Sequence, residues 1–443
     1  MLNFIRSNVR ALLVPAAAFA LTACDDDPVT PVDPGLTDDI VDIATSTGDV
    51  STLATALEAA GLVGALQGDG PFTVFAPVNS AFADLGDGIV DALLEDGNAE
   101  LLSRILTFHV VSGTAAFSGD LSDGQTVTTL EGEALTIGVS GGSVTVNEAT
   151  VTTADIEATN GVIHLIDEVL VPSTDIVERA VLTPETQTLV AAVAAGDLVT
   201  TLKGDGPFTV FAPINEAFEA LGTDQLDVLL APENQALLQK ILTYHVIAGD
   251  VRAADLADGA SVATVEGTEV TFDLSGATPR VNGAEIIATD VVTENGVIHL
   301  IDGVLTENAD IVDVATLNGF ETLVSLVAEA DLVTTLRSDN GGDGFTVFAP
   351  TDEAFAALAA VPSGQDLVDV LTYHVVGATV ESGDLTDGQV VTTVEGSTFT
   401  VNIDGSAVSI TDGSGNTVNV VLTDVPASNG VIHVIDGVLL PSS

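Results

Sequence analysis

Positively charged residues are scarce in this 443-residue chain. Lys and Arg together number 9 against 65 Asp and Glu, which gives a formal net charge of −56 at pH 7. A surface of this charge repels nucleic acid and anionic membranes, so we expect no nucleic-acid partner. The acidic residues are spread along the whole chain. That distribution favours a halophilic adaptation, in which salt screens self-repulsion, over the alternative of a surface that attracts cations or basic partners.

Cysteine is nearly absent as well. Cys24 is the one cysteine, so no intrachain disulfide is possible. It follows Leu21-Thr-Ala, and this tetrapeptide resembles the lipobox of bacterial lipoproteins, in which the cysteine becomes the lipidated first residue. The apolar run at 11–21 follows two arginines and is too short to span a bilayer. We therefore expect a signal peptide over residues 1–23 and lipidation of Cys24. The alternative is a free thiol in an uncleaved leader.

The segment that follows is poor in residues able to build a core. Residues 24–38 contain several Asp and Pro residues, a composition typical of an extended tether. An acyl group on Cys24 would hold the protein at a membrane surface without spanning the membrane. The expected location is extracytoplasmic, in the cell envelope or at the cell surface.

The chain also lacks the usual signs of nucleophilic catalysis. Its one Gly-x-Ser-x-Gly match, at residues 138–142, does not recur in the other two modules, and Cys24 is assigned to lipidation. No serine recurs beside the recurring histidines, because Ser80 is replaced by Glu216 and Glu353 at the matching positions. We expect no enzyme, no catalytic residue and no cofactor.

What the chain does contain is a long internal repeat. The stretch Asn-Gly-Val-Ile-His-x-Ile-Asp occurs three times, at residues 160–167, 295–302 and 429–436. A repeated period of this length indicates tandem copies of one module. We predict modules at residues 39–172, 175–306 and 310–441. The linkers between them are short and not Gly/Ser-rich, which predicts a semi-rigid row.

The residue pattern within each module predicts an α+β fold. Apolar residues at helical spacing alternate with short β-branched stretches that are bounded by Gly and Asp. The run Val162–Ile166 is apolar on both faces except for His164, so we expect a strand that is buried on both sides. The Phe-Thr-Val-Phe-Ala-Pro runs that begin at residues 72, 208 and 345 predict a second buried strand.

Together these motifs resemble the fasciclin domain family. Thr-Val-Phe-Ala-Pro, Ala-Phe, the mid-module Tyr-His and the closing Asn-Gly-Val-Ile-His recur in every module, except that Phe108 replaces the Tyr in the first. The resemblance implies a compact wedge of two β-sheets with several helices, usually in tandem. It also implies a non-catalytic role in adhesion or matrix binding outside the cell.

All six histidines belong to the repeat. We interpret them as structural residues that bond to buried backbone groups. The alternative is a metal site that also uses Asp155, Asp290 or Asp424, but the two histidines of a module are far apart in sequence. The six are His109, His164, His245, His299, His374 and His433.

A short polar side chain follows the Phe-Ala-Pro strand by two residues. Asn79, Asn215 and Asp352 occupy this position, immediately before the Ala-Phe helix. Residues of this type cap helix N-termini, so we predict that each is the N-cap of its helix.

Two functions remain open from the sequence. The first is a lipid-anchored protein of adhesion or matrix interaction, with an extracellular protein or polysaccharide as ligand. The second is a surface lipoprotein that binds a small lipid, sterol or sugar in a cleft of one module.

Overall fold

The computed structural model describes residues 36–86 and 88–442. The predicted signal peptide, Cys24 and most of the predicted tether lie outside these residues. Among the described residues, no helix is long and apolar enough to cross a membrane.

The first repeat contains six helices and seven strands among the described residues. Its helices are Ile40–Ser46, Ser51–Ala59, Val63–Leu66, Asn79–Ala83, Ile89–Leu93 and Ala99–Phe108. Its strands are Phe72–Pro77, Val110–Ser112, Thr126–Thr128, Ala134–Ser140, Ser143–Val146, Ala149–Ala158 and Gly161–Ile166.

The second repeat has the same order of elements. Its helices are Ile176–Val181, Gln187–Ala195, Val199–Leu202, Asn215–Leu221, Thr223–Leu230 and Gln235–Tyr244. Its strands are Phe208–Pro213, Val246–Ala248, Ser261–Ala263, Glu269–Asp273, Arg280–Val281, Ala284–Thr293 and Gly296–Ile301.

The third repeat differs mainly in its shorter helical segment before the Tyr-His motif. Its helices are Ile311–Leu317, Glu321–Glu329, Val333–Leu336, Asp352–Ala356 and Gln365–Tyr373. Its strands are Phe345–Pro350, Val375–Val376, Val390–Thr392, Thr398–Asp404, Ala407–Thr411, Thr417–Ala427 and Gly430–Ile435.

Each repeat builds a seven-stranded sheet with the same strand order. At its centre, the Phe-Ala-Pro strand (the central strand) runs parallel to the Asn-Gly-Val-Ile-His strand (the closing strand), with Phe72 opposite Gly161 in the first repeat. The other pairings are antiparallel. The predicted α+β class is confirmed.

The strand that precedes the closing strand connects two halves of the sheet. In the first repeat this strand, Ala149–Ala158, pairs with Ser143–Val146 at its start and with the closing strand along the rest. Two register shifts interrupt the second pairing, and such bulges bend a strand. The two sheets of the wedge are thus two halves of one bent sheet. Its end strands approach each other, since the Leu130 N–H donates to the Val110 carbonyl at 2.6 Å.

Two cores lie on opposite faces of the central strands. Val74 and Ala76 face the helices, whereas Phe75 faces the strand-rich half. In the closing strand, Ile163 and Leu165 join the helical core and Ile166 joins the other. Every residue from Val162 to Ile166 is buried, as the apolar pattern on both faces predicts.

The glycine of the Asn-Gly pair is required by this packing. A Cβ on Gly161 would collide with the carbonyl oxygen of Phe72 on the parallel strand, and the same holds for Gly296 against Phe208. The Asn-Gly sequence therefore serves the close approach of two buried strands, in addition to the turn that precedes the closing strand.

Candidate functional site: recurring polar residues and module junctions

The asparagine before the closing strand is buried and connects three parts of each repeat. In the first repeat, Asn160 Oδ1 accepts the N–H of Ile40 at 3.1 Å. Its Nδ2 donates to the carbonyls of Leu66 at 2.7 Å and Gly68 at 3.0 Å. One amide thereby joins the start of the first helix, the end of the third helix and the turn before the central strand.

Asn295 and Asn429 make the same three kinds of bond in their own repeats. This asparagine was given no role in the core by the sequence analysis. Its invariance across the three repeats was the available signal, but the partners are about 90 to 120 residues away and depend on the tertiary fold.

The histidine of the Tyr-His motif joins a helix to the segment after the closing strand. His109 Nδ1 lies 2.7 Å from the Ile105 carbonyl oxygen, and the Leu170 N–H donates to Nε2 at 2.9 Å. Because a carbonyl can only accept, Nδ1 carries the proton and the ring is neutral. Burial lowers the pKa of His109 to about 4.

His245 and His374 repeat this arrangement with the corresponding residues. Each has a helix carbonyl at Nδ1 and a backbone N–H at Nε2, and burial lowers the pKa of each to about 4.

The histidine of the closing strand is bonded on both nitrogens as well. In the first repeat, His164 Nε2 lies 2.9 Å from the Ala116 carbonyl oxygen, and the Asp155 N–H donates to Nδ1 at 3.2 Å. The ring stacks on Phe75 with centroids 5.6 Å apart. His299 and His433 have equivalent partners.

These contacts bear on the alternative of a metal site. Both nitrogens of every histidine are engaged by backbone groups, so neither carries a free lone pair toward a shared centre. The carboxylate of Asp155 accepts from Ser118, and that of Asp290 from Ala253. Within the described ranges, no group of three or more His, Cys, Asp or Glu side chains converges on one point.

The predicted N-cap role of Asn79, Asn215 and Asp352 is wrong. The N-cap residues are the preceding ones, Val78, Ile214 and Thr351.

Each of the three polar side chains instead caps a different helix, the second of its repeat. Asn79 Oδ1 accepts the Thr52 N–H at 2.9 Å, near the start of the helix Ser51–Ala59, and its Nδ2 donates to Gly48 O at 2.7 Å. Asn215 and Asp352 accept from Thr188 and Thr322 in the same way. The predicted type of contact is present, but the fold brings another helix terminus nearer.

The tyrosine of the Tyr-His motif binds the strand-rich half of its module. Tyr244 donates to the Glu269 carbonyl at 3.1 Å and accepts from Asn282 at 2.6 Å. Tyr373 donates to the Thr398 carbonyl at 2.9 Å. Phe108 has no hydroxyl to make this bond in the first module.

The junction between the first and second modules is held by scarce positive charge. Arg104 Nη1 of the first module lies 2.7 Å from Glu178 Oε2 of the second. Arg104 Nη2 donates to the Ser173 carbonyl at 2.8 Å. Glu178 is 4% exposed. Lys203, within the second module, approaches the same carboxylate at 3.3 Å.

The second junction is built from the matching positions. Lys240 of the second module lies 2.6 Å from Asp313 Oδ2 and 3.3 Å from Asp310 Oδ2 of the third. Arg337 adds a contact of 2.8 Å to Asp313, which is only 1% exposed. Burial alone lowers the pKa of Lys240, but the hydrogen bond and charge of Asp313 outweigh it, so the pKa is raised.

Apolar packing continues across both junctions. Val181 of the second module belongs to the helical core of the first, and Leu317 of the third belongs to that of the second. Four of the seven basic residues after residue 35 thus lie where two modules share a core.

The cavities inside the modules are small. A cavity in the helical core measures about 20 Å³ in the first module and about 30 Å³ in the second and third. This is room for about one water molecule, so these cavities give no space for a lipid, sterol or sugar.

Comparison with known proteins gives the family. The family model for the fasciclin domain matches residues 48–172, 184–307 and 318–441. The chain therefore belongs to the fasciclin domain family, as the recurring motifs indicate.

Its relatives include animal and cyanobacterial proteins. It is 34% identical over 348 residues to pig (Sus scrofa) transforming growth factor-beta-induced protein ig-h3, with 76% of this chain and 49% of ig-h3 aligned. Human periostin is 31% identical, over 76% of this chain and 40% of periostin. Protein sll1483 of Synechocystis is 50% identical, over 30% of this chain and 73% of that protein. The chain thus spans no more than half the length of the two animal relatives.

A FAS1 domain pair from the insect cell adhesion molecule fasciclin I is a similar solved structure. The match covers 60% of this chain and 95% of the pair, with 19% identity and a TM-score of 0.30.

We predict that Asn295→Ala destabilises the second module by about 2 to 4 kcal/mol. The substitution leaves the Ile176 N–H, the buried Leu202 carbonyl and the partly buried Gly204 carbonyl without their partner. Urea unfolding followed by circular dichroism should show a lower midpoint than in the parent chain. Glu294→Ala, at the exposed neighbouring residue, is the control and should leave the midpoint unchanged. An equal midpoint for Asn295→Ala would contradict the role of the amide.

We also predict that acid weakens the fold before carboxylates protonate. His109, His245 and His374 have a folded pKa of about 4 and an unfolded pKa of 6.5. The unfolded state therefore binds more protons below pH 6.5, and stability is lost as the pH falls toward 4. By pH 5 the loss is roughly 2 kcal/mol for each histidine.

Nuclear magnetic resonance of the imidazole protons measures this directly. The three rings should stay neutral in the folded chain at pH 5, while urea unfolding shows the loss of stability. Titration of these rings near pH 6.5 in the folded chain would show that the prediction is wrong.

Proposed function

We propose that this protein is a lipid-anchored adhesion or matrix-interaction protein, with an extracellular protein or polysaccharide as its ligand. The observation that carries the proposal is the threefold repetition of one fasciclin module without a recurring nucleophile. The relatives ig-h3 and periostin align with 76% of this chain, in alignments that span all or part of the three modules. A row of three similar surfaces favours multivalent attachment, in which linked weak contacts act together.

The anchor is the second part of the proposal. The leader, the Leu21-Thr-Ala-Cys24 box and the absence of any other cysteine support lipidation of Cys24. Such an anchor would place the row of modules at the cell envelope or cell surface, on the outer side of the cytoplasmic membrane.

The expected result is saturable binding of the mature chain to at least one extracellular matrix or envelope polysaccharide preparation, measured by surface plasmon resonance in molar salt. Cys24→Ser is the matched variant. It should keep this binding but move from the membrane fraction to the medium and lose labelling by a palmitate analogue. Absence of binding to every preparation would contradict adhesion, whereas membrane retention of Cys24→Ser would contradict the anchor.

We further propose that the acidity is an adaptation to strong salt. A formal charge of −56 with few compensating cations leaves most carboxylates to repel one another. The melting temperature of the chain should therefore rise as sodium chloride is increased from millimolar to molar concentrations, because screening shortens the range of this repulsion. A melting temperature that is constant across this range would exclude the adaptation.

A further inference from the structure

A groove of about 450 Å³ lies between the second and third modules. Small-molecule sites commonly measure about 300 to 1,000 Å³ and often lie between domains. Leu221 and Gln225 of the second module form one wall, and Val314, Leu317 and Asn318 of the third form another. The linker residues Thr306, Glu307 and Ala309 and the strand residues Val425, Pro426 and Ala427 complete the lining.

The first junction carries larger side chains at the matching place. Val314, which lines the groove, corresponds to Arg179, four residues after the helix-capping Asp in each module. The loop after this helix contains Gly319 in the third module and Pro184 in the second, where it is one residue longer. The Pro184 ring lies against Gly86 of the first module, whereas the space around the Gly319 Cα is open. The groove of the second junction is therefore a property of this particular pair of modules and not a general result of stacking them.

Glu307 is the one charged residue among those that line the groove. Its carboxylate lies 3.4 Å from Asn282 Nδ2. Gln225 Nε2 donates to Asn318 Oδ1 at 3.2 Å, and Asn318 Nδ2 donates to the Val314 carbonyl at 2.8 Å. Each of these amide nitrogens keeps a second N–H, and the Gln225 carbonyl oxygen can accept from a ligand.

Charge and shape then limit the class of ligand. Neither Lys nor Arg lines the groove, and the chain carries a net charge of −56, so an anion is disfavoured. The floor is aliphatic, from Leu, Val, Pro and Ala, and has no aromatic ring on which a sugar could stack.

We propose that this groove binds a small aliphatic molecule that carries an ammonium group. The aliphatic part lies on Leu317, Val314 and Val425. The ammonium donates to the Glu307 carboxylate and the Gln225 carbonyl oxygen. This proposal does not depend on the proposed adhesive function, since the lining of the groove comes from the second junction.

Titration of hexylammonium into the full chain tests the proposal. Methyl resonances of Val314, Leu317 and Val425 should shift in a saturable way that fits one site per chain. Hexanoate, with the same chain length and the opposite charge, should leave them unchanged. Glu307→Gln should weaken hexylammonium binding roughly three- to tenfold, since it removes one partly exposed charge pair. Glu168→Gln, at an exposed acid of the first module, is the control and should leave the binding unchanged.

Two further variants fill the groove from opposite walls. Val314→Arg introduces the residue found at the matching position 179, and Ala427→Leu adds bulk on the strand side; each should abolish the saturable shifts while circular dichroism reports a folded chain. If one of them fails to fold, the other still decides. Shifts that persist in the folded filling variant, equal shifts with hexanoate, or linear shifts over the whole acidic surface would overturn the proposal.

Discussion

The parallel pairing of the closing strand with the central strand is the constraint on which each module depends. Both strands are buried on both faces, so each separates a helical core from a strand-rich core. The close approach requires Gly161, and the Asn160 amide fixes the first helix and the turn beside it. Each buried backbone group that loses its hydrogen-bond partner costs about 1 to 3 kcal/mol. Loss of Asn160 therefore affects helix, turn and strand together. The same arrangement occurs in all three modules.

The row of modules depends on a second constraint, the placement of the few positive charges. The first junction buries Glu178, and the second buries Asp310 and Asp313. At each junction two basic side chains neutralise the buried acid, one from the preceding module and one from the same module. The outward ends differ. In the first module, Gln67 stands at the position of Lys203 and Arg337, and Asp42 is exposed at the position of the buried acid. In the third module, Asp369 stands at the position of Arg104 and Lys240. Positive charge is thus present at these positions only where a neighbouring module covers the acid.

Sequence patterns predicted the fold class, the repeat and the buried strands because these depend on local periodicity and composition. The burial of Val162–Ile166 is one example. The partners of polar side chains could not be predicted in this way. Asn79 was expected to cap its own helix but caps the helix at Ser51–Ala59, because the choice among helix termini is made by tertiary packing. The role of Arg104 was missed for the same reason, since its partner Glu178 is 74 residues away.

The central claim is that ion-paired junctions hold three fasciclin modules in one fixed row. The most direct measurement is the distance distribution between spin labels attached through Ser140→Cys and Asp404→Cys, at exposed sites of the first and third modules, in a chain with Cys24→Ser. A single narrow distribution is expected, and Arg252→Gln should leave it unchanged. Lys240→Gln together with Arg337→Gln should broaden it, since Asp313 would then be buried without a positively charged partner. A broad distribution in the parent chain, or none of this broadening in the double variant, would contradict the claim.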